Sequence, residues 1–233
     1  MMDESDGISV LEDLLRNRHS CRAFLPRQIP RQTIESILGV AQRTASWCNT
    51  QPWQVVVTSG QATDRFRKAL VDQLNEGLEK PDFDFPLEYT GVYQSRRRVC
   101  GYQLYDSVGV KKEDRAASTV QMLKNFEFFG APHLAIISAP ASLGVYGAVD
   151  CGAYVNNFML AAHGAGVATI AQASLALYAS FIRQYFDIDS ERQILCGISF
   201  GYEDVDHPVN GFRTEREDLD KVVRWEGDRP EEQ

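Results

Sequence analysis

Arg18-His19-Ser20-Cys21-Arg22 and Thr44-Ala45-Ser46-Trp47-Cys48-Asn49-Thr50-Gln51-Pro52-Trp53 are the two stretches on which the reading of this 233-residue chain turns. The first has no helical period. In an extended segment alternate residues share a side, which puts Arg18, Ser20 and Arg22 together. Two guanidinium groups flanking a hydroxyl make a compact anion site; the alternative is a solvated turn with surface arginines. The second stretch packs two tryptophans, a proline and several amides into ten residues. It can offer a flat ring both an apolar face and hydrogen bonds, or it can be a packed structural loop.

Outward from these stretches the pattern is mixed. Ile8, Leu11, Leu14 and Leu15 predict an opening helix that ends near Asn17, and Ile34, Ile37, Leu38 and Ala41 predict a second one after Pro30. Val55-Val56-Val57 predicts a short strand over Gln54 to Thr58, turned by Ser59-Gly60. Phe66, Ala69, Leu70, Leu74 and Leu78 form a third helical stripe. From Pro81 to Tyr93 the period breaks among aromatic residues, so this loop covers something or forms a satellite core. Helices are expected around Val99 to Val108, capped by Gly109, and from about Glu113 to Phe129. A strand follows over His133 to Ala139, then a nearly all-apolar helix over Val149 to His163, which belongs in a deep core or an interface. A strand over Val167 to Ala171, a helix over Leu175 to Phe186 and a strand over Ile194 to Phe200 complete the pattern. The polar tail from Gly201 to Gln233 has only Val222, Val223 and Trp225 as apolar anchors, so it must lie across another surface. With no repeat and no linker, the expectation is one α+β domain over residues 1–233.

Composition narrows the function. There are 24 Lys and Arg against 32 Asp and Glu, a formal charge of −8, which disfavours nucleic acid while leaving room for one local basic pocket. No apolar run is long enough to span a membrane, and the acidic start Met1-Met2-Asp3-Glu4-Ser5-Asp6 is unlike a signal peptide. Five scattered cysteines and four histidines give no zinc spacing and no disulfide framework. The expectation is a cytoplasmic protein without metal. Gly164-Ala165-Gly166 follows a helix and precedes a strand, the reverse of a dinucleotide fingerprint, and reads as a helix end. His207 beside Asp206 has no GxSxG serine to serve, and Cys21 and Cys48 read as structural thiols.

The R-H-S-x-R segment before a proline-started helix, and the NTQPW loop entering a strand, resemble the nitroreductase family of FMN-dependent oxidoreductases. The likeness continues through Phe128-Phe129-Gly130-Ala131-Pro132, Gly164 to Thr169, and Gly201-Tyr202 with His207 to Arg216, covering about residues 8 to 225. Ala45 stands where the family usually has proline. Residues 81–115 look most like the nitrobenzoate and dinitroaniline reductase branch. The resemblance implies a central, mostly antiparallel sheet surrounded by helices, in an intertwined homodimer with an extended C-terminal tail. It implies FMN at the subunit interface, with Arg18 and Ser20 on its phosphate and ribityl chain and Arg22 at the ring edge near N1 and O2. Ser46, Trp47 and Asn49 match the loop that arrives from the second subunit, and Gln172 and Ala173 match the stretch whose backbone nears N5. Arg216, helped by Arg213, matches the tail cation for the phosphate.

The implied chemistry is a ping-pong cycle. NADH or NADPH gives two electrons to the flavin and an electron-poor aromatic, a nitro compound foremost, takes them; no side-chain acid or base is required, and none is assigned. Residues 81–115 would cover the substrate and 202–233 would embrace the partner, with Arg96, Arg97 or Arg98 free to meet a carboxylate or nitro group. Reductive dehalogenation, enone or flavin reduction, a flavin-binding module without turnover, and a structural dimer without cofactor remain as alternatives.

Overall fold

A computed structural model describes residues 4–77 and 80–227. Four strands form one antiparallel sheet in the order β1-β2-β4-β3. They are β1 (Gln54–Ser59), β2 (His133–Pro140), β3 (Ala168–Gln172) and β4 (Arg192–Gly201). Val56 pairs with Ile136, Ile136 with Gly197, and Ile170 with Ser199. The central β2 is buried along nearly its whole length, which explains why it reads as a continuous apolar run rather than an alternation.

The pleat sorts side chains into two cores. Leu134 and Ile136 face one of them, with Phe66, Phe128, Leu175 and Ile182; Ala135 and Ile137 face the other, with Ile34, Ile37, Cys151, Tyr154 and Phe158. A bulge interrupts β4, because Ile137 pairs with Cys196 and the next residue, Ser138, with Ile194. The extra residue, Leu195, switches sides: Ile194 faces the first core while Ile198 and Phe200 face the second.

Helices cover both faces: α1 (Glu4–Asn17), α2 (Arg31–Ala41), α3 (Gln61–Leu74), α4 (Gly91–Ser107), α5 (Arg115–Leu123), α6 (Gly144–Gly164), α7 (Ala179–Phe186) and the short α8 (Leu219–Val222). Several boundaries differ from the sequence expectation. α3 ends at Leu74, and Leu78 lies outside the described residues, as do residues 228–233 of the tail. The aromatic loop, expected to run to Tyr93, ends at Thr90, and α4 begins at Gly91. The helix expected up to Phe129 stops at Leu123; Phe128 and Phe129 are left-handed (φ 57° and 52°), which swings Phe128 onto Phe66 at 5.6 Å. The helix expected from Val149 starts five residues earlier, at Gly144. Residues 173–178 are a 3-10 segment, so of the expected 175–186 helix only Ala179–Phe186 is α-helical. Gly166, at φ 72°, closes α6 and feeds β3, as the Gly-Ala-Gly reading requires.

Candidate functional site

The segment after α1 runs beside the sheet edge. Ser20 bridges Thr169 in parallel, and the Cys21 amide donates to the Thr169 carbonyl at 3.0 Å. Cys21 points inward and is fully buried; burial pushes its thiol up to about 12, so it is a packing group rather than a nucleophile. With Cys21 turned in, Arg18, Ser20 and Arg22 line one cavity of about 940 Å³, at the upper end of cofactor-sized sites. The far wall comes from the tail, through Phe212, Arg213 and Arg216. Asn210 joins the two walls. Its Oδ1 accepts the Arg22 amide at 2.8 Å, and its Nδ2 donates to the carbonyls of Ala23 and Asp204, each at 2.9 Å. Sequence reasoning gave Asn210 no role, although it lies in the family-like segment from His207 to Arg216.

The electrostatics of this cavity are one-sided. Burial, then the neighbouring Arg216, hold the Arg18 guanidinium below its ordinary pKa. Burial does the same to Arg22, which donates to the Ser20 carbonyl at 3.2 Å and lies 5.5 Å over the Phe212 ring. Arg213 donates to the carbonyls of Asn210 and Phe212, and Arg216 to Thr214. Among the described residues none of these four arginines is in an ion pair. Glu12, the one carboxylate on the cavity wall, is paired with Arg16. Four cations outside any ion pair, of which Arg18 and Arg22 are partly desolvated and Arg213 and Arg216 are exposed, make a site that fits a multiply charged anion in a chain of net charge −8.

The remaining expected residues lie elsewhere on the chain. Ser46, Trp47 and Asn49 are outside this cavity's wall and form a cluster of their own. Ser46 Oγ accepts the Gln51 amide at 3.0 Å, Asn49 Oδ1 accepts from Gln51 Nε2 at 3.2 Å, and the exposed Trp47 ring meets Tyr146 edge-on at 4.7 Å. Cys48, Asn49 and Gln51 are left-handed without being glycine (φ 52°, 56° and 46°), a conformation that costs of order 1 kcal/mol each. The Asp150 carboxylate accepts the Trp47 amide with both oxygens, a contact across 103 residues that no motif announced. Gln172 is buried between Ser199, whose hydroxyl donates to it, and the Asn125 carbonyl, which it meets at 2.7 Å, while Ala173 beside it is exposed. On α4, Arg96 pairs with Glu217 of the tail at 2.6 Å and Arg97 lies 5.2 Å over the Tyr89 ring, so two of the three arginines expected to meet substrate already have partners.

The model of the nitroreductase family matches residues 15–202, four-fifths of the chain. This chain belongs to the nitroreductase family. Nitroreductase NfnB of Mycolicibacterium smegmatis is 36% identical over 223 residues, covering 94% of each chain. The 4-nitrobenzoate reductase of Nocardioides sp. is 32% identical over 233 residues, covering 95% of this chain and 93% of its own. Among solved structures, that of the FMN-dependent nitroreductase NfnB from Mycobacterium smegmatis in complex with NADPH superposes with a TM-score of 0.90 at 35% identity, over 95% of this chain and all of that one. The fold is accordingly nitroreductase-like. The nitroreductase match takes in Arg18, Ser20, Arg22, the 46–49 loop, Gln172 and Ala173; Arg213 and Arg216 lie beyond its end at residue 202, and the fold brings them to the cavity wall. No helix among the described residues is long and apolar enough to cross a membrane.

Proposed function

We propose that the protein is an FMN-dependent oxidoreductase that uses NADPH or NADH to reduce nitroaromatic compounds in two-electron steps. The observation that carries this reading is the convergence of Arg18, Arg22, Arg213 and Arg216, with Ser20, on one cavity without a carboxylate to neutralise them. When bound, FMN supplies a two-electron carrier between nicotinamide and nitro group. Arg18, Ser20, Arg213 and Arg216 hold its phosphate and ribityl chain through charge-assisted hydrogen bonds. Arg22, a partly desolvated cation on the cavity wall, would lie against the flavin ring, where a fixed positive charge favours electron acceptance. Gln172 and Ala173 bring main chain to the ring. No side chain is assigned as a catalytic acid or base.

The same proposal makes the enzyme a homodimer in which Ser46, Trp47 and Asn49 complete the partner's site. It is supported by the apolar residues left exposed at both ends of the chain: Ile8, Leu11 and Leu15 on α1, and Leu219, Val222 and Trp225 in the tail. Residues 1–233 form one domain, with 81–115 covering the substrate and 202–233 embracing the partner. Residence in the cytoplasm completes the reading; it rests on odd-numbered, scattered cysteines, of which Cys48 is an exposed free thiol.

The test is a visible absorption spectrum of the purified protein, repeated anaerobically with NADPH and then with a nitrobenzoate. A yellow protein that bleaches with NADPH and recovers its colour with the nitro compound is expected. Flavin that binds and does not bleach would leave a binding module. A colourless protein that takes up no added FMN overturns the proposal.

A further inference from the structure

The helix α6 presents Tyr146, Asp150 and Asn157 at spacings of four and seven residues, hence on one face. All three meet the 44–51 loop. Asn157 Nδ2 donates to Thr44 Oγ1 at 2.8 Å, and that hydroxyl donates to the Ala41 carbonyl at 2.7 Å, which fixes where the loop leaves α2. Asp150, though a carboxylate, is buried, and its two oxygens stand 3.2 and 3.1 Å from the Trp47 amide. Tyr146 supports the Trp47 ring. The amide held by Asp150 immediately precedes the left-handed Cys48 and Asn49. The loop's internal bonds join neutral groups, whereas Asp150 brings an ionised acceptor, the stronger kind. Burying that charge is costly and is offset only if the bond it makes is kept.

We infer that Asp150 is a positioning residue: its carboxylate clamps the backbone at Trp47 so that Ser46, Trp47 and Asn49 are already arranged when the flavin arrives. The inference rests on the proposed role of that loop in FMN binding. Preorganisation moves the cost of ordering the loop from the binding step into folding. Losing the clamp therefore weakens FMN binding more than it slows turnover of enzyme saturated with FMN.

The experiment strips the full-length enzyme of FMN and titrates FMN back, following flavin fluorescence, for wild type, Asp150→Ala and Asp150→Asn. Asp150→Ala raises the FMN dissociation constant about tenfold or more, with kcat at saturating FMN within about threefold of wild type. Asp150→Asn retains one acceptor for the Trp47 amide and stays within about threefold in affinity. The melting temperature of each apo-protein is measured alongside. Should Asp150→Ala fail to fold, Asn157→Ala, which frees the other end of the loop, takes its place with an expected rise of about threefold.

Wild-type affinity in the alanine variant overturns the inference. So does a loss shared by both Asp150 variants and matched by an equal fall in apo-protein melting temperature, which is general destabilisation. A shared loss at unchanged melting temperature supports it and makes the charge the agent. Wild-type protein that binds no FMN overturns the flavoenzyme reading itself, before any variant is compared.

Discussion

α6 and α4 are both long helices, of 21 and 17 residues, and they belong to the structure for opposite reasons. α6 buries Gly147, Asp150, Cys151, Tyr154, Phe158 and Ala162, and stacks Tyr154 on Trp53 at 5.0 Å. α4 has no buried residue, and it exposes Val92, Tyr93, Val99 and Tyr102. What ties α4 down is polar and directed at the tail: Arg96 to Glu217, and Gln103 Nε2 to the Arg213 carbonyl at 3.3 Å. One helix is held by desolvation; the other spans the outside of the cavity to which Cys100 contributes. A helix held that way can vary with substrate without endangering the fold, the pattern expected of a cover.

The comparison breaks most readily in its core half. Phe158→Ala, at a fully buried position, is expected to cost about 3–5 kcal/mol in urea unfolding, whereas Val99→Ala on α4 stays within about 0.5 kcal/mol. Equal costs would mean that α4 is a core helix of the assembled protein. The cavity between the two regions responds next. Arg18→Ala removes a charge-assisted partner of the proposed phosphate, and FMN affinity should fall roughly tenfold to a hundredfold, that is about 1.4–2.7 kcal/mol, in a fluorescence titration. An unchanged affinity would disconnect this arginine from the cofactor.

A pH dependence comes third. His133 is buried with Nε2 accepting the Ile29 amide at 2.9 Å, so Nδ1 carries the proton toward Ser59 Oγ at 3.0 Å and the ring is neutral. Burial lowers its pKa in the folded protein. The unfolded chain therefore binds the proton first, and stability present above about pH 6.5 is lost as pH falls from there through the folded value, at no more than about 1.4 kcal/mol per unit. His163, also lowered chiefly by burial, acts in the same direction. Chemical denaturation of His133→Gln should show a shallower acid limb than wild type; an identical limb would assign the effect to other groups. The smallest expected effect is on α4 itself. Arg96→Ala should leave the melting temperature unchanged within error, because the Arg96–Glu217 pair is solvent-exposed, and should alter the KM for a nitrobenzoate more than kcat. A change in neither parameter would detach α4 from the substrate.

The sheet strands, α1, α2 and the Arg18–Arg22 cluster were legible in the chain because each depends on local periodicity: apolar runs for strands, three-four spacing for helices, and alternation for the extended arginine segment. The misreadings share a cause. Leu123 to Phe129 has apolar residues enough for a helix, yet tertiary packing of Phe128 against Phe66 bends the backbone into the left-handed region. α6 reads as apolar on every side, and only the fold decides that Val145, Tyr146 and Val149 stay outside while Asp150 goes in.

Alternation along five residues was enough to place Arg18, Ser20 and Arg22 on one side of the chain, since the direction of a side chain in an extended segment follows from local stereochemistry. That Arg213 and Arg216 stand across the same cavity was decided by the fold, because Asn210 fastens the tail to Arg22 from 188 residues away. The clamp of Asp150 on Trp47 has the same character. Local propensity acts over a turn or a pleat, whereas a hydrogen bond between distant residues exists only after the core has brought the side chain of one within reach of the backbone of the other.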